Sequence, residues 1–68
     1  MKPVSGKRMA KLDEAKGWLL IRVNSSHRVD SRPGSPLNVI VPVHGNRDLR
    51  TGTQRSIMRD AGLTDADL

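Results

Sequence analysis

Sixty-eight residues with no cysteine, one tryptophan and no phenylalanine or tyrosine suit one domain, 1–68, that buries only about 60% of its unfolded surface. Such a composition excludes disulfides, thiolate metal sites and the aromatic platforms on which unpaired bases stack. Eight Arg and four Lys against seven Asp and Glu give a formal charge of +5, which favours nucleic acid or an acidic protein as partner because arginine forks match phosphate and carboxylate geometry, although a scattered excess also simply keeps a domain dispersed.

In chain order, Ser5 is a good N-cap. Met9, Leu12 and Ala15, three apart, make a narrow apolar stripe, so a short amphipathic helix runs from Gly6 to Lys16. Gly17 suits a left-handed cap, with Trp18 leaving to pack in the core. Asp13, four residues after Met9, falls on the stripe and weakens the helix's inner face.

Trp18 to Val23 is rich in branched side chains and reads as a strand, with Leu19, Ile21 and Val23 on one face and Trp18, Leu20 and Arg22 on the other. Trp18 to Ile21 is the longest apolar run and is too short to span a bilayer; Met1 to Gly6 has no apolar signal core. The expected location is cytoplasmic, with no membrane partner. Asn24-Ser25 reads as a two-residue turn, in which Ser25 is uncomfortable at positive φ. The returning strand, His27 to Arg32, alternates His27, Val29 and Ser31 against Arg28, Asp30 and Arg32 and is expected to bury little.

Pro33-Gly34-Ser35-Pro36 is a turn. Leu37 to Val41, ended by Pro42, is the clearest strand, and Val43 to Leu49 is a loop. A second helix from Arg50 to Ala61 carries Ile57, Met58 and Ala61 on its apolar stripe. Gly62 stops it, Leu63 folds back as the cap's hydrophobic contact, and Thr64 to Asp67 has the form of a capping box. The order predicts an α+β fold, α-β-β-β-α, with two helices on one face of a three-stranded antiparallel sheet, a layout like that of double-stranded-RNA-binding domains.

His27 stands out chemically, since an imidazole titrates near neutrality and Arg22 and Arg28 are close by in sequence. Such a group accepts or donates a proton at cellular pH, and arginines beside it can stabilise developing negative charge. His44, at the end of a strand, either bonds the loop backbone or holds RNA. Two histidines seventeen positions apart without clustered carboxylates do not make a metal site. A serine-hydrolase elbow and phosphate-cradling glycine motifs are absent, so no cofactor is expected.

The ordered series Ser5-Gly6-Lys7, Gly17-Trp18, Arg22, Ser26-His27, Val41-Pro42-Val43-His44-Gly45-Asn46, Asp48-Leu49, Gly52, Arg55-Ser56-Ile57-Met58 and Ala61-Gly62-Leu63 resembles the HicA family of toxin mRNA interferases over nearly the whole chain. The resemblance implies a double-stranded-RNA-binding-type fold, ribosome-independent mRNA cleavage with His27 as catalytic residue, and a HicB-type antitoxin partner. Around His27, the candidate RNA-binding residues are Lys7, Arg22, Ser26, Arg28, His44 and Arg50.

Four departures accompany the resemblance. The family's Gly-Ser-His-His is here Ser25-Ser26-His27-Arg28, an apolar or aromatic residue is replaced by Asp30, and a helix leucine by Asp13. Three of the four lie in the hairpin, so activity below the family's norm is expected, with Asp30 repelling RNA if it shares a face with the arginines. The alternative is a non-catalytic RNA-binding or antitoxin-binding module of the same fold.

Overall fold

In the computed structural model, which describes residues 1–68, the elements are α1 (Gly6–Ala15), β1 (Leu19–Asn24), β2 (His27–Ser31), β3 (Val39–Pro42) and α2 (Thr51–Ala61), followed by a 3-10 turn at Asp65–Asp67. The strands form one antiparallel sheet in the order β1-β2-β3. This is the expected α-β-β-β-α arrangement, in keeping with a small fold of the double-stranded-RNA-binding type.

Ser5 caps α1, its Oγ accepting the Arg8 N–H at 3.0 Å. Both helices then end alike. Gly17 at φ 90 lets the Trp18 N–H reach the Asp13 carbonyl at 3.1 Å, and Gly62 at φ 78 lets the Leu63 N–H reach the Met58 carbonyl at 2.8 Å. Each left-handed glycine thus turns the chain inward. Trp18 becomes fully buried, with its indole N–H donating to the Ala61 carbonyl at 3.1 Å and Arg32 stacked on its ring. The capping box at Thr64 and Asp67 also forms.

The core joins Val4, Met9, Leu12 and Trp18 to Val39, Val41, Ile57, Met58, Ala61 and Leu63. Large members of such a core contribute about 1.5–3 kcal/mol each. A buried glutamine that the sequence reading did not single out, Gln54, ties the N-terminal segment down: its Oε1 accepts the Val4 N–H at 3.2 Å and its Nε2 donates to the Lys2 carbonyl at 2.7 Å.

β1 and the turn that follows it differ from expectation in four respects. β1 starts at Leu19 because Trp18 is drawn into the core. A bulge between Leu20 and Arg22 inserts Ile21 as an extra residue, and since side chains alternate with period two, this moves Arg22 to the face opposite Leu20. Neither face of β1 is buried: Leu19, Leu20, Ile21 and Val23 are all exposed, because the helices pack over β3 while β1 overhangs as an edge. The turn is Ser25-Ser26, between the paired residues Asn24 and His27. Ser25 alone has positive φ, 55°, the pattern of a type II′ turn, whose first central position suits glycine.

β2 is the central strand and buries Val29 and Asp30, more than its alternation suggested. β3 begins at Val39, leaving Leu37 exposed, and it includes Pro42, which pairs with His27. α2 begins at Thr51, with Arg50 as its N-cap. No helix is long and apolar enough to cross a membrane.

Candidate functional site

The start of β2 and the end of β3 lie side by side. His27 pairs with Pro42, and the Val43 N–H donates to the Ser26 carbonyl at 2.8 Å. His27 and His44 therefore sit at the same end of the sheet, and both are exposed. Ser26 is half-buried and contributes its backbone to this crossing.

α1 reaches the same end through Gly6. A methyl group there would overlap the Pro42 carbonyl oxygen, so only glycine lets the first turn of α1 seat on β3. Exposed Lys7 and Arg8 follow directly. The loop after β3 is held to the other side of the N-terminal segment by the Leu49 N–H, which donates to the Val4 carbonyl at 2.9 Å, and by a bridge between Ser5 and Asp48. The first turn of α2 thus arrives here too. Arg50 makes no side-chain cap, which leaves the N–H groups of that turn facing outward with their partial positive charge. Between β3 and α2 lies a recess of about 470 Å³ lined by Pro42, His44, Arg47, Asp48, Leu49, Arg50 and Thr53.

Charge availability separates the cations. The ion pairs are Lys16–Asp67, Arg28–Glu14, Arg28–Asp30 and Arg59–Asp60, so Lys7, Arg22, Arg47 and Arg50 have no carboxylate partner. Arg22 pairs with Val29 while Asn24 pairs with His27. Directly opposed residues share a face, so Arg22 and His27 lie on one side of the sheet, the side away from the helices.

Arg28 lies on the other side. It and Asp30 pair with Val41 and Val39 of the core face. Its Nε donates to Asp30 Oδ1 at 2.9 Å and its Nη2 to Glu14 Oε1 at 2.6 Å. Partial burial opposes the charged form, but the hydrogen bonds to Asp30 and Glu14 outweigh it and raise the Arg28 pKa further. Asp30 is fully buried and lies on the face opposite Arg22. Asp13 is buried in the same seam. Three departures from the family pattern, Asp13, Arg28 and Asp30, therefore form a single cluster beneath the sheet, and only Ser25 stays at the histidine end.

Of the residues singled out from the sequence, the structure gathers Lys7, Ser26, His27, His44 and Arg50 at one end, sets Arg22 on the adjoining open face, and separates Arg28. Arg47 was overlooked. Its signal was its place in a loop that must return from Pro42 to the second helix, past the histidines. No three His, Asp or Glu side chains gather in a way that would hold a metal ion.

Residues 6–63 match the profile of a family described as the HicA toxin of bacterial toxin-antitoxin systems. No curated protein matches the chain.

Proposed function

The chain belongs to the HicA toxin family of bacterial toxin-antitoxin systems, and from that premise we propose that it is an endoribonuclease that cleaves mRNA in the cytoplasm with His27 as general acid or base. The observation that carries this reading is the contrast in availability at one end of the sheet: His27 is exposed, among Lys7, Arg22, Arg47 and Arg50, whose charges no carboxylate of the protein neutralises. A phosphodiester laid across that end meets cations for its phosphates and an imidazole for its proton.

In the proposed reaction the neutral His27 imidazole removes the 2′-OH proton and the 2′-oxygen attacks phosphorus. The P–O5′ bond breaks as the proton passes from the His27 imidazolium, directly or through water, to the leaving oxygen, which gives a 2′,3′-cyclic phosphate and a 5′-hydroxyl. Arg22 stabilises charge on the phosphorane from the open face. Lys7, Arg50, Arg47 and His44 hold flanking phosphates, and the backbone at Ser26 fixes His27 through the Val43 hydrogen bond. With Arg28 committed to Asp30 and Glu14, its role is to hold the strand and not the phosphate.

Membership of the family implies an antitoxin as partner. A HicB-type antitoxin of acidic character suits the +5 chain. β1, whose apolar side chains stand uncovered, leads straight to the turn before His27, so a protein lying along β1 would cover the site. Its affinity falls as salt rises, because charge complementarity is screened.

The test is incubation of the purified protein and a His27→Ala variant with a structureless RNA, following cleavage and binding separately. Cleavage by the wild type alone, with equal RNA affinity for both, is the expected result. RNA binding without cleavage by either protein would leave the chain a non-catalytic binding module.

A further inference from the structure

An acidic pair lies in the seam between α1 and β2, on the side of the sheet away from His27. Asp13 and Asp30 are both fully buried. Both oxygens of Asp13 and Oδ2 of Asp30 have no hydrogen-bond partner, while Asp30 Oδ1 accepts from Arg28 Nε at 2.9 Å. Two ionised carboxylates against one guanidinium leave a negative charge uncompensated in a buried seam, where taking up a proton costs far less than keeping the charge. The charged groups that face Asp13 are Asp30 and Arg28 from β2, with Glu14 of its own helix reached through Arg28. β3 presents the buried Val39 and Val41 to this face, the charged side chains of α2 (Arg55, Arg59 and Asp60) are exposed, and Asp67 is paired with Lys16.

We propose that Asp13 and Asp30 hold one proton between them, carried on Asp13 and donated to Asp30 Oδ2, and that release of this proton to solvent loosens α1 from the sheet. One proton makes Asp13 a donor, gives the unpartnered Asp30 oxygen its bond and leaves Asp30 and Arg28 as a neutral pair. No other group in the seam supplies a donor for these oxygens.

Burial first, and then the Asp30 charge, push Asp13 up to about 7 from the 3.8 of a free side chain, against the pull of Arg28. The folded protein thus binds the proton more tightly than the unfolded chain. The stability this contributes is complete below the unfolded value and drains away as pH rises from 3.8 to about 7. Because α1 seats Gly6 against Pro42 at its other end, a loosened α1 also relaxes the histidine end. The proposal does not depend on whether the chain cleaves RNA.

The experiment is a carbon NMR titration of the Asp13 carboxyl in the full chain, run beside thermal unfolding across the same pH range. Asp13 is expected to titrate near 7, with the melting temperature falling as pH rises toward that point. Asp13→Asn, which has no proton to release, flattens the fall, and Asp30→Asn lowers the Asp13 midpoint by about one unit by removing a like charge. An Asp13 midpoint in the ordinary carboxylate range overturns the proposal, as does an unchanged pH slope in Asp13→Asn. The wild-type titration stands by itself should Asp30→Asn fail to fold.

Discussion

His27 and Arg28 are neighbours in the chain and belong to different parts of the molecule. On the open face of β2, His27 is exposed beside cations with no carboxylate partner. On the helix face, Arg28 is spent on Asp30 and Glu14, above a second buried carboxylate. The comparison teaches that a basic residue serves a phosphate only if the fold leaves its charge free. It also bears on the departures from the family pattern: Asp13, Arg28 and Asp30 pack together between α1 and β2, on the side of the sheet away from His27.

The sharpest way to break this comparison is to truncate each neighbour in turn. His27→Ala is expected to lower RNA cleavage by about 10²–10⁴-fold while leaving the melting temperature in place. Arg28→Ala is expected to cost about 3 kcal/mol of stability by stranding buried Asp30, with the exposed Glu14 contact adding little. The molecules that stay folded keep their cleavage rate. A folded Arg28→Ala that binds RNA but no longer cleaves it would place the guanidinium in the chemistry and undo the assignment of faces.

Next in size is the seat of α1 on β3. Gly6→Ala forces a methyl against the Pro42 carbonyl and is expected to cost about 3 kcal/mol in urea unfolding, the upper range for overpacking. Gly52→Ala is the control, since nothing lies near its added methyl and a helical alanine gains about 0.5–1 kcal/mol over glycine. Equal effects at the two glycines would mean that α1 does not depend on this close approach.

Smaller effects sharpen the distinction between free and committed cations. Arg50→Ala is expected to weaken RNA binding several-fold and to lower the slope of log affinity against log salt by about 0.7, the share of one phosphate on a single strand. Asp48→Asn, which removes a negative charge from the same recess, moves affinity the other way. The smallest change expected is Ser25→Gly, which relieves a serine held at φ 55 and raises stability by about 1 kcal/mol. Neutrality there would mean that the type II′ turn is held by more than its own backbone preference.

Much of the fold was legible in the sequence because it rests on local rules. Ser5 caps, Gly17 and Gly62 reverse the chain, and the apolar stripes of the helices and the branched residues of the strands mark which elements form; these depend on neighbours within a few positions. The place of His27, directly after a tight turn, was legible in the same way. What sequence alone could not settle was every property that depends on register or on close approach between distant segments. The bulge at Ile21 shifts alternation by one and sends Arg22 to the side of His27. The antiparallel pairing of His27 with Pro42 brings the two histidines to one end, and the contact of Gly6 with Pro42 brings Lys7 there. Burial of Asp13, seventeen residues from Asp30, turns two isolated acids into one site for a proton. The physical reason is that capping and turn energies are fixed by a residue's own conformation, whereas a side chain's charge state and availability are fixed by whatever the folded sheet and helices place against it.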